Sequence, residues 1–592
     1  MKKLVYIFIS LLLTSCIDDI LDKQPLDIIS DSQVWGDQAL IDAYLTNVYL
    51  EMYILLNETP NQDWASSEDW NGPFIINELS DECKRNWIHG QSGNKLWGIR
   101  INTNILAWWE QSYKVIRILN EFIDRMPDAP VDEEFRTLKI AEARFLRAYN
   151  YFAMVKRYGG VPLITEAQDI TASDEELYRA RDNEEDIYDF VIAEMDAITA
   201  DLPERAATVY GRPSKYTALA LKSRAGVYAG SIAQYGTVQL DGIVGIDASK
   251  ASTYYQQAFD ASLEIMNSGN YSLYKQNADK VTNFRNLFLK ENNSEVIWAK
   301  LHDYDQRNLG GNGWVWDFFQ CPKPQAWNAG NQNAPYLEMA EEFELVDGTP
   351  GYLDRNAIQQ GLWSMEELWG NKEPRFFATI YTQDTPWKGG KVEWHNGLII
   401  PGGSIQTSGS YQGVPAKGTQ QVDNDFGTGF GVIKYLEEGK DNMGERATSG
   451  TDFILFRYAE ILLNYAEAAL ELGKPGEALV AINEIRERAG VAHLGSVDRE
   501  RIRHERKVEL AFEGHRYWDL RRWRLAVDEL TINRSGLRYI LDYETGKFKL
   551  IVINRIDGGT SDPLFYPENY YFPLTLARTG NNPNLVENPG YQ

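Results

Sequence analysis

Tryptophans set among acids and amides are the side chains with the clearest chemistry in this chain. Asp63-Trp64 and Glu68-Asp69-Trp70-Asn71 form one cluster, with Asp81 and Trp87 close by in sequence. Trp314-Val315-Trp316-Asp317, then Gln325, Trp327 and Asn328, form a second. A flat ring offers a stacking face, and a neighbouring carboxylate or amide offers directed hydrogen bonds. The combination suits binding, and the candidate contacts are Asp63, Trp64, Asp69, Trp70, Asn71, Trp87, Trp314, Trp316 and Trp327. On an extended strand Trp314 and Trp316 would share one face. The competing use of every one of these rings is packing between loop and scaffold.

Catalytic and metal motifs do not assemble. The six histidines include no His-Glu-x-x-His, because Val508 stands where His504-Glu505 would need its second ligand. No Cys-x-x-Cys pair is present for a structural zinc. Neither a Gly-x-Ser-x-Gly elbow nor a phosphate loop occurs, and residues 427–431, though glycine-rich, lack the strand and helix of a dinucleotide site. Asp423-Asn424-Asp425 is acidic enough to attract calcium, but a short oxygen-rich turn is the simpler reading, so no cofactor is expected. A glycoside hydrolase needs two carboxylates flanking the bond. The 85 acidic residues supply pairs by chance, and none is marked as catalytic.

Cys16 has a different chemistry. Met1-Lys2-Lys3 is a cationic start, residues 4–13 are apolar apart from Ser10, and Leu13-Thr14-Ser15 leads directly to Cys16. This is the layout of a secretory signal over residues 1–15. It resembles a bacterial lipobox, in which the cysteine thiol is acylated and begins the mature chain. The apolar run is shorter than the ~20 residues that span a bilayer. Asp18 and Asp19 follow, as in lipoproteins sent to the outer face of the outer membrane. A net charge of −26 argues against nucleic acid and against adhesion to anionic lipid, so membrane attachment rests on the acyl chains. Cys83 and Cys321 remain, and two buried free thiols are favoured over one disulfide.

The elements that position these residues read as helices. Ala141, Phe145, Ala148 and Phe152 make one stripe within residues 138–156. Residues 216–230 repeat the pattern with Ala218 and Ala225, and residues 458–470 repeat it with Ala459 and Ala466. Each of the last two copies is followed by another helix ending near glycine, at Gly269 and Gly490. Such units resemble tetratricopeptide repeats, although the strict consensus is absent. The fold class expected is all-α: a tetratricopeptide-like scaffold over about 35–305 and 451–530. An irregular, aromatic-rich subdomain with a few short strands is expected over about 307–450, and an extended C-terminal segment over about 531–592. Within that segment 548–553 and 569–572 read as strands or extended segments.

Five stretches, in order, resemble the SusD/RagB family of outer-membrane nutrient-binding lipoproteins. They are residues 141–164 ending in Tyr158-Gly159-Gly160-Val161-Pro162, 335–348 followed by Glu373-Pro374-Arg375-Phe376, 456–472, 503–523, and 571–591. The fourth reads as two helices broken at Gly514 with arginines on an exposed, salt-bridged face: Arg503, Arg506, Arg516, Arg521, Arg522 and Arg524. The resemblance implies a binding protein without catalysis, lipid-anchored at Cys16 on the cell surface and partnered by a SusC-like TonB-dependent transporter. It implies an oligosaccharide or polysaccharide ligand, with peptide capture, as in the RagB branch, as the alternative. A structural lid without affinity of its own is a further reading. The tryptophan clusters suit a sugar, since rings match its C–H face and polar side chains its hydroxyl rim.

Overall fold

The computed structural model of the chain describes residues 34–55, 75–86, 106–303, 314–420, 427–445, 449–557 and 562–591. Most of its long helices begin where an acceptor side chain or an acidic first turn meets unpaired N–H groups. α1 (Gln38–Glu51) starts at Asp37, whose carboxylate accepts from the amides of Ala39 and Leu40. α2 (Glu110–Arg125), α3 (Glu133–Tyr158), α4 (Glu184–Ile198), α5 (Lys215–Tyr235) and α6 (Ala251–Asn267) follow. After the irregular region come α7 (Tyr458–Glu471), α8 (Pro475–Ala489), α9 (Arg499–Glu509) and α10 (Arg516–Arg522). α3 matches the helix dipole at both ends, with Glu133 and Glu134 in its first turn and Lys156 and Arg157 in its last.

The helices stack in sequence: α2 on α3, α3 on α4, α4 on α5, α5 on α6, then α6 on α7 and α7 on α8. The stack therefore runs on across the irregular insertion. The stripe Ala141, Phe145, Ala148 and Phe152 is buried, as are Ala218, Ala225, Ala459 and Ala466. Small residues bring α5 and α6 close: a Cβ at Gly226 would sit 2.9 Å from the Ala258 Cβ. The all-helical, tetratricopeptide-like scaffold expected from periodicity is the one observed. Among the described residues no helix is long and apolar enough to cross a membrane.

Short strands tie the irregular region to this stack. β1 (Val296–Lys300) pairs antiparallel with β5 (Phe453–Arg457), so the chain enters and leaves the insertion side by side. A five-stranded sheet joins β2 (Leu362–Trp363), β3 (Leu398–Ile399) and β4 (Ile405–Gln406) to β6 (Gly536–Asp542) and β7 (Phe548–Ile553) in the order β2-β7-β6-β3-β4. The C-terminal segment contributes a hairpin, β6 and β7, to the interior of that sheet. Strand 548–553 is present, whereas of the stretch 569–572, expected as a strand or extended segment, the first two residues belong to a 3₁₀ turn, Pro567–Tyr570, and Tyr571 is extended. Proline fixes φ at the start of this turn, and the Asn569 side chain accepts from the Tyr566 amide.

The tail then clamps the end of α3. The Phe572 amide donates to the Arg157 carbonyl (2.7 Å), and the Asn588 side-chain amide donates to the Tyr158 carbonyl (3.0 Å). Just past this helix end Gly160 lets a different segment approach, because a Cβ there would fall 1.9 Å from the Asp182 carbonyl oxygen.

The arginine-rich stretch departs from its expected place. Arg506, Arg521 and Arg522 are almost wholly buried, and Arg516 nearly so. Ion pairing was expected, but on a surface; here it fills the interior between α9, α10 and the stack. Arg506 and Arg522 pair with Asp519 at 2.7 and 2.8 Å, and Arg522 also pairs with Glu467. Arg516 and Lys507 meet Asp81 at 2.8 and 2.9 Å. Glu509 takes Arg375 (2.9 Å), Arg457 (2.7 Å) and Arg488 together. Arg521 donates to the Tyr570 carbonyl and lies against Trp518 and Phe572. Arg503 pairs with Glu500, and Arg524 donates to the Tyr571 hydroxyl. These guanidiniums build the fold and form no anion site. Cys83 and Cys321 are both buried and not joined in a disulfide, the arrangement favoured from the cysteine count.

Candidate ligand-binding surface

The sequence candidates separate sharply in the structure. Cys16, Asp63, Trp64, Asp69, Trp70, Asn71 and Trp87 lie outside the described residues, as do Asp423, Asn424 and Asp425. Trp314 and Trp316 are 0% exposed, which corrects their assignment as ligand contacts. They do not alternate along a strand: Trp316 opens a short helix, Trp316–Gln320. Trp314 stacks on His302 (5.2 Å), packs against Trp316 (5.4 Å), and meets Tyr435 and Phe453 edge-on. The Trp316 indole N–H donates to the Lys434 carbonyl at 2.8 Å. A region with few regular helices lacks long apolar stripes, so large rings supply its buried area. Trp369, Trp387 and Trp394 serve the same core. Trp314→Ala should therefore act on stability, by about 3–5 kcal/mol as for other buried large-to-small changes. Denaturant titration checks this, and a midpoint equal to wild type would show the pocket is not packed as described.

Trp327 has the opposite environment. It is 69% exposed, the only tryptophan among the described residues with most of its surface in solvent. The chain reaches it through a 3₁₀ turn, Lys323–Ala326, and leaves it in the left-handed conformation (φ 52°, ψ 31°). Asn328 (φ 64°) and Asn331 (φ 58°) follow in the same region. A side chain there costs roughly 1–2 kcal/mol per residue, so the surrounding bonds must hold it. They do: the Asn328 amide donates to the Lys323 carbonyl (2.9 Å) and the Ala329 amide to the Ala326 carbonyl (2.7 Å). From the other side the Lys323 amide donates to Gln420 Oε1 at 2.9 Å.

The ring itself is propped. It meets Phe318 edge-on at 5.3 Å, and its Nε1 lies over Gly444, where a Cβ would come within 3.2 Å. The Asn442 side chain flanks the same glycine, accepting from its amide at 2.9 Å. Gln325 is fixed by Trp387, whose indole N–H donates to Gln325 Oε1 at 2.8 Å. The result is a rigid exposed ring with the amides of Asn328 and Asn442 at hand. The contribution of Gly444, Asn442 and Trp387 carried no signal in sequence, because they lie far along the chain from Trp327.

A glycosidase acid needs a carboxyl group of raised pKa in a cleft. Burial pushes Glu82 up to about 7 and Asp452 up to about 6. Both are core groups in structural bonds. Glu82 accepts from the Phe512 amide (3.0 Å), and Asp452 accepts from the His302 amide (2.9 Å) and the Tyr210 hydroxyl (2.9 Å). Among the described residues no cluster of three or more His, Cys, Asp or Glu is arranged to hold a metal ion.

Comparison with known proteins fits this architecture. The pattern of the SusD family matches residues 294–591, and one described as starch-binding associating with outer membrane matches residues 20–227. The starch-binding protein SusD of Bacteroides thetaiotaomicron is 24% identical, over 98% of this chain and 96% of its own. A crystal structure of a SusD-like protein from Bacteroides fragilis superposes with a TM-score of 0.71 at 25% identity, spanning 96% of this chain and 100% of that one. Surface glycan-binding protein A from Bacteroides thetaiotaomicron, solved with laminarihexaose, shares the fold at a TM-score of 0.59 and 18% identity over 93% of this chain and 98% of that one. With matches that take in both the helical stack and the insertion it carries, this chain belongs to the SusD family.

Proposed function

We propose that this protein captures oligosaccharide at the outer surface of the outer membrane and passes it to a SusC-like TonB-dependent transporter, without catalysis of its own. The observation that carries the reading is Trp327: an exposed ring, held in a strained backbone conformation, with the amide side chain of Asn442 near it. A sugar presents C–H groups on one face and hydroxyls at its edge, and this arrangement meets both. Relatives named for starch binding, or caught with laminarihexaose, support a glycan as ligand. Acylation at Cys16 would moor the protein, and docking on the transporter would supply the second attachment that stable anchoring needs. Affinity in the micromolar to millimolar range, about −8 to −4 kcal/mol, suits a protein that must release what it catches.

The test is calorimetry of the mature protein against a polysaccharide panel with a peptide arm. Trp327→Ala should weaken the glycan that binds by about tenfold or more, as expected when an aromatic anchor is truncated. Melting should stay close to wild type because the ring is largely in solvent. A bound glycan unaffected by this change, or binding of peptides alone, would overturn the assignment.

A further inference from the structure

A cleft of about 380 Å³ opens between α2, the loop after α3 and the last helix, α11 (Leu576–Asn581). It is built from elements other than those that carry Trp327. Its volume lies at the lower end of ligand sites, roughly 300–1,000 Å³, with room for about two sugar rings. Ile116, Pro162, Ile164 and Leu177 make an apolar floor, and the rings of Trp109, Tyr113 and Tyr178 stand around it.

The walls are fixed by bonds that the protein makes to itself. The Tyr113 hydroxyl donates to the Pro162 carbonyl (2.9 Å), and the Asn120 amide donates to those of Ile164 (3.0 Å) and Glu166 (3.2 Å). Across the cleft the amides of Asn582 and Asn584 donate to the carbonyls of Arg179 (2.8 Å) and Tyr178 (2.6 Å). The backbone lining is thus satisfied, and the cleft is formed before any ligand arrives.

Three guanidiniums edge its mouth, on a chain whose net charge is −26. Arg578 is matched by both oxygens of Glu110 (2.8 and 2.9 Å), and Arg117 by Glu121 (2.9 Å). Arg179 is exposed, with no carboxylate paired to it among the described residues. Asn581 beside it is also exposed. We propose that this cleft is a second saccharide site, for a short glycan unit carrying an anionic group, with Arg179 as the anion's partner and Tyr113 and Tyr178 as the ring surfaces, Trp109 being buried beneath Arg578 as part of the wall. Uronate and sulfate ester share the chemistry a guanidinium fork recognises. A second weak contact on one chain would lengthen the hold on a polymer without a new high-affinity site. The proposal extends the glycan reading to another place and does not depend on Trp327.

The experiment is calorimetry of the full mature chain with tetragalacturonate, a sulfated carrageenan oligosaccharide and neutral maltohexaose at millimolar concentration. An acidic peptide of equal charge is the control. At least one anionic saccharide should bind better than the neutral one, more weakly as salt rises. Arg179→Gln, at an exposed position that leaves the fold intact, should cut that binding about tenfold, and Asn581→Ala should cut it further. Trp327→Ala should leave it in place. Three results would each overturn the proposal: no anionic saccharide binds, Arg179→Gln changes nothing, or the peptide binds as well. If Trp327→Ala alone abolishes all glycan binding, this site falls while the Trp327 reading stands.

Discussion

Glu509→Ala should cost more than the ~3–5 kcal/mol of one broken buried ion pair, because three guanidiniums lose the same carboxylate at once. Glu509 is 0% exposed, and Arg375, Arg457 and Arg488 converge on its two oxygens. Those arginines are not idle elsewhere: Arg375 also meets Glu373 and Glu505, and Arg457 and Arg488 both meet Glu295. Removing Glu509 strips one buried ion pair from each of the three guanidiniums in a site that water cannot reach. Glu509→Gln keeps the volume and should recover only part of the loss, since the charge is what the three partners share. The contrast is Arg499→Ala. Arg499 pairs with Glu471 at the surface, and such pairs are worth about 0–1 kcal/mol. Melting temperature and denaturant midpoint of the three variants decide the matter. An alanine variant at Glu509 that melts with the Arg499 variant would mean that the cluster is not a buried network.

This network also marks where sequence reasoning stops. The scaffold was legible because each helix repeats its apolar positions at the helical period, and Ala141 to Phe152, Ala218 with Ala225, and Ala459 with Ala466 land inside as that period requires. The arginines of α9 and α10 follow the same spacing rule as a solvated charged face. Nothing local separates the two cases, because the deciding partners Asp81 and Glu467 come from distant parts of the chain. The tryptophans show the same limit in another form. Trp314 and Trp327 lie thirteen positions apart with similar polar neighbours, yet one ring is enclosed by Tyr435 and Phe453 while the other stands in solvent. Residue type told that both could stack. Only the turn at Lys323–Ala326, and the small residue at Gly444, determine which one faces outward.

Stability against pH should show a plateau from about pH 7 to 5 and a steep fall below about pH 4, the ordinary carboxylate range. The fall comes from carboxylates whose folded pKa is depressed. Burial alone pushes Glu509 up, but Arg488, Arg457 and Arg375 outweigh it and hold the carboxyl far below the usual range. Asp81 is likewise driven up by burial and down, further, by Arg516 and Lys507. Glu505, Glu513 and Asp519 follow the same rule, burial against facing cations, with the cations stronger. Such groups stabilise the fold fully above their unfolded pKa, near 4, and that contribution is lost as pH falls through the folded values, at about 1.4 kcal/mol per unit of depression. The plateau has a separate origin. Between pH 7 and 5, Glu82 and Asp452, held up chiefly by burial, take on protons in the folded protein and favour it. Over the same range His302, pushed down to about 3 by burial and by Lys300, and His515, pushed down by burial and neighbouring arginines, would take on protons only when unfolded. His504, lowered by burial but raised overall by Glu342, adds to the first group. These opposing uptakes largely offset each other. Scanning calorimetry from pH 7.5 to 2.5 tests both regimes. A melting temperature that drops as far between pH 7 and 5 as it does below 4 would place the acid-sensitive groups outside the buried arginine cluster.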